Sequence, residues 1–317
     1  MNWPDRPVTV RVPATSANLG PGFDALGLAL GLHDVVQARI IADGVAIKVS
    51  GVGEDTAAAD DAHLVVQAMR AAFSLLGAQP PGIGLRCTNA IPQGYGLGSS
   101  AGAIVAGLLA ARALSPGGGG LDGPELLRLA SRIEGHPDNV AACLAGGLTI
   151  AWTSARGAEA ARLEPLDGLT PVLCVPADPV LTQTARGLLP ASVPHADAAA
   201  NAARAALLIA GLTLKPALLM AGTEDLLHQR YRAAAMPATA ELIDRLRDAG
   251  IPAVVSGAGP SVLALTVAGT HPGPRAVPPL TERTGVAWQV RTLEVDRRGA
   301  VAGEPSAVPS QPGGAGL

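Results

Sequence analysis

Hydrophobic and polar positions along the chain follow two periods. Residues 8–12 alternate and are β-branched, which predicts a strand. Between residues 62 and 76 the apolar side chains recur at intervals of three and four, which predicts an amphipathic helix. The same patterns predict further strands at 33–41, 45–50, 83–88, 147–153, 171–175 and 286–295. They predict further helices at 101–114 and 124–133 and a long helical region at 196–248.

The order of these elements mixes strands and helices without strict alternation. Loops rich in glycine, proline, serine or asparagine interrupt them at 13–24 and 91–100, and 154–170 is predicted to be a connector. Residues 251–267 are predicted to form strand, turn and strand, and the Gly/Pro/Ser-rich residues 299–317 are predicted to be disordered. This order favours two α+β lobes over a doubly wound parallel sheet.

The composition limits the class of protein. The 317 residues are 48% hydrophobic with a formal net charge of −3, enough apolar material for one large or two modest domains. Nucleic-acid and anionic-membrane proteins usually carry a basic face, and bases stack on aromatic side chains, which make up only 2% of this chain. We therefore expect neither a nucleic acid nor a membrane as partner.

Cysteine usage and the uncharged segments bear on location. Cys87, Cys143 and Cys174 lie far apart, which excludes a disulfide framework and a sulfur-rich zinc site and fits a reducing cytoplasm. The N-terminus has no apolar signal segment. Residues 249–270 are uncharged, but prolines and glycines interrupt them, so we interpret them as strands and not as a membrane helix. A cytoplasmic protein is the expectation.

The loop at residues 91–101, Ile-Pro-Gln-Gly-Tyr-Gly-Leu-Gly-Ser-Ser-Ala, is the most informative local signal. Lys48 and Lys215 are the only lysines and neither follows a glycine-rich run, so a Walker-type phosphate lysine is absent. Three glycines instead allow close approach of the backbone, and Ser99 and Ser100 begin a helix whose first N–H groups can bind phosphate. The alternative is a flexible loop that ends in a serine N-cap.

A hydrolase motif overlaps the same loop. Gly98–Gly102 matches Gly-x-Ser-x-Gly, the nucleophile elbow of serine hydrolases. That elbow requires a strand that runs directly into the serine, whereas the predicted strand ends near Thr88. The esterase hypothesis is therefore disfavoured.

A second polar cluster, Glu134-Gly-His-Pro-Asp-Asn139, lies between a predicted helix and an apolar strand. A lone carboxylate is normally solvated surface, but this density of polar groups between apolar segments indicates a site. A hard carboxylate oxygen suits Mg²⁺, whereas a transition metal would require several closely spaced His or Cys ligands.

The remaining candidates have both structural and functional interpretations. The loop with Asn18 and Asp24 is either a rigid Asx-bonded turn or a source of a carboxylate that accepts from an ammonium group. Arg186 and Arg232 are ordinary surface arginines taken singly, but a guanidinium also suits a substrate carboxylate. Ser256-Gly-Ala-Gly-Pro-Ser261 is a tight hairpin or part of a site.

Together these segments resemble the GHMP kinase superfamily. Gly96–Ser100 is similar to the phosphate-binding signature of that superfamily, and Ser256–Ser261 is similar to its C-terminal glycine motif. Pro13-Ala-Thr-Ser-Ala-Asn-Leu-Gly-Pro-Gly-Phe-Asp24 and Glu134–Val140 resemble the homoserine kinase family in particular. The motifs occur in the family's order within residues 8–267.

The resemblance implies an α+β, two-lobed GHMP kinase fold. Residues 1–160 would form an ATP-binding lobe like ribosomal S5 domain 2, residues 161–298 a ferredoxin-like lobe, and 299–317 a tail. The implied reaction is the MgATP-dependent phosphorylation of the side-chain hydroxyl of L-homoserine to O-phospho-L-homoserine, in threonine biosynthesis. A homodimer is implied as well.

The resemblance also implies residue roles. Ser100 and Glu134 would hold Mg²⁺, Asp24 would bind the α-ammonium, and Arg186 and Arg232 the α-carboxylate. The catalytic groups that line the hydroxyl would be Asn18, His136 and Asn139. The phosphates would be wrapped by Pro92, Gln93, Gly94, Tyr95, Gly96, Leu97, Gly98, Ser99, Ser100, Ala101 and Gly102.

Three questions stay open at this point. Asn139 cannot accept a proton, so no general base is assigned, although His136 and Asp138 are candidates. Another GHMP kinase with a different alcohol is the nearest alternative. The second alternative is a regulator that binds ATP without catalysis. The presence of Ser100, Glu134 and Asp24 argues against it.

Overall fold

The computed structural model describes residues 3–55, 57–58, 60–116, 120–177 and 187–304. Over this part of the chain the strands form a seven-stranded and a four-stranded sheet. The first sheet contains β1 (Val8–Ala17), β2 (Leu26–Ile41), β3 (Gly44–Gly51), β4 (Gly82–Asn89), β5 (Leu148–Ser154), β6 (Gly157–Leu163) and β11 (Val301–Gly303). The second contains β7 (Leu169–Pro176), β8 (Ala253–Val255), β9 (Val262–Val267) and β10 (Trp288–Thr292).

Helices pack against both sheets. In chain order they are α1 (Leu64–Leu75), α2 (Ser99–Leu114), α3 (Gly123–Glu134), α4 (Asp138–Ala145), α5 (His195–Thr213), α6 (Leu219–Gly222), α7 (Gln229–Arg232), α8 (Pro237–Asp248) and α9 (Pro278–Thr281). The first four cover the seven-stranded sheet, and their apolar faces form one core with it. The predicted α+β arrangement in two lobes is thus observed.

β2 holds the seven-stranded sheet together. It pairs with β1 along most of its length, with β4 through its second half and with β5 through Leu26–Leu28. Sequence analysis placed a loop at 13–24 and began the strand at 33, and both boundaries were wrong. The reason is that residues 13–17 of β1 and 26–30 of β2 are buried at every position and so show no alternation. Leu28 and Leu30 belong to one apolar cluster with Leu173 and Leu263 of the other lobe.

Two segments predicted to be irregular are strands. Residues 157–163 form the second strand of a hairpin with β5, and the predicted domain boundary at 160/161 falls within it. Residues 301–303 pair with β1, so the predicted disordered tail is wrong for this stretch, and residues 305–317 lie outside the described residues. Neither segment has a strong strand composition, so pairing with an existing edge determines its structure.

The predicted helical region at 196–248 is helical but interrupted. Helix α5 ends at Thr213 and the chain continues through short helical turns before α8 begins at Pro237. Across the described residues, no helix combines the length and apolarity needed to cross a bilayer.

Helices α1 and α2 approach each other closely at Gly107. A Cβ atom on this residue would lie 2.4 Å from the carbonyl oxygen of Val65 and 2.7 Å from the Cβ of Ala68. The absence of a side chain at 107 therefore sets the distance between the two helices that cover the sheet.

We expect Gly107→Ala to lower the free energy of unfolding by about 1–3 kcal/mol, because the added methyl group meets backbone that cannot move easily. The matched control is Gly123→Ala in α3, where a Cβ would meet open space. Urea denaturation of both variants measures the effect. Equal stability of the two variants would contradict the close approach at Gly107.

Candidate active site

The site begins where α2 meets β1. Gly98, the N-cap of α2, has φ +67°, and a Cβ there would lie 1.9 Å from Thr15 Oγ1. The backbone N–H of Thr15 also donates to the Leu97 carbonyl at 3.0 Å. Because a glycine N-cap has no side chain to accept from the first turn, the N–H groups at the start of this 16-residue helix are left to bind an anion.

A row of polar side chains follows from α2 to the turn between α3 and α4. Ser100 Oγ donates to Glu134 Oε1 at 2.6 Å, and His136 Nε2 lies 4.0 Å from the same oxygen. His136 Nδ1 lies 2.6 Å from Asp138 Oδ1, a carboxylate that is almost fully buried. Gly135, with φ +93°, ends α3 after Glu134 and turns the chain so that these groups adjoin.

Asn139 completes this row. Its Oδ1 accepts from Thr15 Oγ1 at 2.7 Å, and its backbone N–H donates to Asp138 Oδ1 at 2.7 Å. With the amide oxygen held by Thr15, the Nδ2 group of Asn139 is the end available to donate to a ligand.

The opposite wall comes from the loop after β1 and from the 256–261 turn of the second lobe. Asn18, with φ +66°, donates through Nδ2 to the Gly257 carbonyl at 2.8 Å and accepts from the Asp24 backbone N–H at 2.9 Å. Ser256 Oγ donates to the Gly96 carbonyl at 2.7 Å. A Cβ on Gly96 would lie 2.0 Å from the Ser256 carbonyl oxygen, so the two glycine motifs touch.

Arg232 lies in the same wall and is 1% exposed. Its guanidinium carbon lies 5.6 Å from the centre of the Phe23 ring, and Nη1 lies 3.4 Å from the Gly257 carbonyl oxygen. A buried cation thus lies beside the loop that carries Asp24.

These walls enclose a cavity of about 620 Å³. Most predicted site residues line it: Asn18, Pro92, Gln93, Gly94, Gly96, Leu97, Gly98, Ser99, Ser100, Gly102, Glu134, His136, Asn139 and Arg232. Of the other described candidates, Asp24 and Ala101 lie outside its wall. Tyr95 lines a separate cavity, where its hydroxyl donates to the Ala177 carbonyl at 2.8 Å. Arg186 lies outside the described residues.

The adjacent strands β1, β2 and β4 add apolar side chains to the lining of the cavity. Val12, Val36, Cys87 and Leu64 line it together with His63, and burial lowers the pKa of that histidine. Burial, followed by the charge of Asp34, raises the pKa of the Cys87 thiol to about 12, so the thiol stays protonated. These apolar side chains can pack against an apolar or aromatic part of a ligand.

Sequence analysis missed Asp34, which also lines the cavity. Its Oδ1 accepts from the backbone N–H groups of Ala90 at 2.6 Å and Ile91 at 2.9 Å, where the glycine loop begins. Burial, only partly offset by these two bonds, raises its pKa to about 6. The signal in the sequence was the single carboxylate of this strand, next to His33 and just before the apolar pair Val35-Val36.

The nucleophile elbow is not formed. β4 ends at Asn89 and α2 begins at Ser99, so no strand runs into the serine. Ser100 Oγ donates to a carboxylate and not to an imidazole.

Asp34 generates a pH prediction. Its pKa is higher in the folded chain than the ordinary 3.8, so the folded state takes up the proton more readily and Asp34 favours folding more as the pH falls. We expect the stability of the native chain relative to Asp34→Asn to rise by about 1 kcal/mol from pH 7 to pH 5. The amide oxygen of Asn retains both backbone bonds.

Urea denaturation at both pH values measures this difference. The control is Asp60→Asn, which removes an exposed carboxylate that also accepts a backbone N–H, from Ala62. A stability difference for Asp34→Asn that is the same at pH 7 and pH 5 would contradict the assignment.

Comparison with known families covers both lobes. Residues 63–147 match the GHMP kinases N-terminal domain, and residues 196–275 match the GHMP kinases C-terminal domain. The first match contains the glycine loop and the Glu134–Asn139 cluster, and the second contains Arg232 and the 256–261 turn.

Relatives that match over most of the chain identify the family within the GHMP kinases more closely. The chain is 57% identical to homoserine kinase of Streptomyces coelicolor over 92% of this chain and 93% of the relative. It is 50% identical to homoserine kinase of Clavibacter michiganensis over 93% of each. The crystal structure of homoserine kinase from Cytophaga hutchinsonii superposes with a TM-score of 0.81 at 27% identity, covering 95% of this chain and 98% of that one. The chain belongs to the homoserine kinase family of GHMP kinases.

Proposed function

We propose that this chain transfers the γ-phosphoryl group of MgATP to the side-chain hydroxyl of L-homoserine, giving O-phospho-L-homoserine and ADP for threonine biosynthesis. One observation carries the proposal. The N-terminus of α2, which has no side-chain cap, lines the same cavity as the buried Arg232 guanidinium, and Arg232 lies beside the loop that carries Asp24. The helix N-terminus suits a polyphosphate, and Arg232 with Asp24 suits the two charges of an amino acid. Family membership supports the same reaction.

The triphosphate would lie along the glycine loop and the first turn of α2. Gly96 and Gly98 let the loop pack against Ser256 and Thr15. Because the N-cap of α2 has no side chain, the first N–H groups of the helix are left for phosphate oxygens without a lysine. The part of the cavity lined by Val12, Val36 and Leu64 is the proposed adenine pocket. Phosphoryl transfer depends mainly on such positioning and on charge stabilisation.

The residues fit a magnesium ion. Mg²⁺ in kinase sites takes one or two protein oxygens together with phosphate oxygens, and the adjoining Ser100 hydroxyl and Glu134 carboxylate supply such a pair. When bound, the ion would neutralise charge on the phosphates. No cluster of three or more His, Cys, Asp or Glu that would favour another metal occurs in the described ranges.

The amino-acid end of the substrate would meet opposite charges on the second wall. We assign the α-ammonium to Asp24 and the α-carboxylate to Arg232, with Arg186 as the second predicted arginine. Asn18 connects these groups to the cavity, because it accepts from the Asp24 backbone and lines the wall itself.

The side-chain hydroxyl would then point to Asn139 and His136. Its oxygen forms a bond to the γ-phosphorus while the bond from that phosphorus to the β-γ bridging oxygen breaks, and ADP leaves. Asn139 Nδ2 is available to orient the hydroxyl as a donor. Asp138 fixes the orientation of His136, and these two groups are the candidates to take the hydroxyl proton. The homodimer and the cytoplasmic location stay predictions.

The direct test is ADP release with MgATP and a panel of L-homoserine, L-serine, L-threonine, mevalonate and galactose. We expect the highest kcat/KM with L-homoserine and loss of turnover with EDTA. Preference for another alcohol would overturn the assignment of L-homoserine as substrate but would still support a kinase. ATP binding without ADP release from any alcohol would indicate a non-catalytic regulator.

Two variants separate the proposed ends of the site. Asp24→Asn should raise the KM for L-homoserine about 10- to 100-fold with little change in the KM for ATP, because a charge-assisted bond to the ammonium is lost. Glu134→Gln should instead lower kcat and raise the Mg²⁺ concentration needed for half-maximal rate. Steady-state kinetics with each substrate varied in turn measures both. Weaker ATP binding in Asp24→Asn, with an unchanged KM for homoserine, would contradict the assignment.

A further inference from the structure

His228 is a fully buried histidine that does not line the cavity. It precedes α7, the short helix that ends at Arg232, and its backbone N–H donates to Asp225 Oδ2 at 3.0 Å. Gln229 N–H donates to the same carboxylate oxygen at 2.6 Å. Asp225 thus fixes the start of α7 and, with it, the backbone position of His228.

The two ring nitrogens of His228 have different partners. Nε2 lies 2.8 Å from the Gly20 carbonyl oxygen, which can only accept, and 3.7 Å from Asp225 Oδ2, so Nε2 carries the hydrogen. Nδ1 lies 3.1 Å from Arg232 Nη1, which can only donate, so Nδ1 carries none. These contacts define one neutral tautomer, and burial, which lowers the pKa of His228, favours the neutral ring as well.

Through these contacts His228 joins two parts of the proposed amino-acid pocket. Gly20 belongs to the loop that continues to Phe23 and Asp24, and the ring centres of Phe23 and His228 lie 5.3 Å apart. The Arg232 guanidinium lies over the Phe23 ring and also donates to the Gly257 carbonyl in the 256–261 turn. A neutral acceptor orients the guanidinium without taking part of its positive charge, which a carboxylate in that place would do.

We propose that His228 is a positioning residue that sets the spacing between the Asp24 loop and the Arg232 guanidinium, and so determines affinity for the amino-acid substrate. The proposal rests on the proposed function, in which Asp24 and Arg232 bind the two charged groups of L-homoserine.

Two isosteric variants separate the two contacts. The amide nitrogen of Gln lies near the place of a histidine Nε2, so His228→Gln can keep the bond to Gly20 but loses the acceptor for Arg232. The amide oxygen of Asn lies near the place of Nδ1, so His228→Asn can keep the acceptor but loses the bond to Gly20. We expect His228→Gln to raise the KM for L-homoserine about tenfold and His228→Asn to raise it less.

The readouts distinguish positioning from general destabilisation. In both variants the KM for ATP should stay within about twofold of the native value, because the ring nitrogens of His228 bond to Gly20 and Arg232, which lie outside the glycine loop and α2. His195→Gln, at an exposed histidine that begins α5, is the control and should leave both KM values unchanged. A parallel rise of both KM values in His228→Gln would overturn the proposal. If that variant does not fold, a KM for L-homoserine that is unchanged in His228→Asn and in Phe23→Leu would overturn it.

A double-mutant cycle tests whether His228 acts through Arg232. The effects of His228→Gln and Arg232→Lys on the KM for L-homoserine should be less than multiplicative in the double variant, because both remove the same oriented guanidinium. Multiplicative effects would overturn the proposal. An active native enzyme is the reference: absence of native turnover with L-homoserine would overturn the proposed function, and this inference with it, whereas unchanged KM values in an active enzyme would overturn this inference alone.

Discussion

The contact between Gly98 and Thr15 is the constraint on which the site depends. A Cβ at position 98 would lie 1.9 Å from the threonine hydroxyl, so the N-terminus of α2 can reach β1 only with glycine there. Thr15 in turn holds Asn139 by its amide oxygen, and the following turn of α2 brings Ser100 to Glu134. The N–H groups proposed to bind phosphate, the pair of oxygens suited to Mg²⁺ and the amide proposed to orient the substrate hydroxyl therefore depend on this one contact.

The second lobe contributes by contact with the same loop. Ser256 bonds to the Gly96 carbonyl, and Gly257 accepts from Asn18, so the 256–261 turn closes the cavity against the first lobe. Arg232 enters with this lobe. The proposed phosphate end of the cavity thus belongs largely to the first lobe, whereas the proposed amino-acid end exists only where the two lobes meet.

The sequence predicted what local chemistry determines and missed what tertiary pairing determines. The glycine loop, the Glu134–Asn139 cluster and the 256–261 turn were recognisable because glycine, proline and polar side chains are concentrated there. β6 and β11 were missed because neither segment has a strong strand composition, and pairing with β5 and with β1 determines their structure. Asp34 and His228 were missed because a single polar residue in a strand or helical segment shows neither its burial nor its partners.

The pairing of β11 with β1 has a consequence for the order in which the chain is completed. β1 is made long before its outer neighbour, Val301–Gly303, because the other described strands of both sheets lie between them in the chain. The hydrogen bond between His33 and Asp296 likewise joins β2 to the segment between β10 and β11. During synthesis the outer edge of β1 therefore stays unpaired until Val301–Gly303 has left the ribosome, and a chain released before that point exposes the edge to other strands.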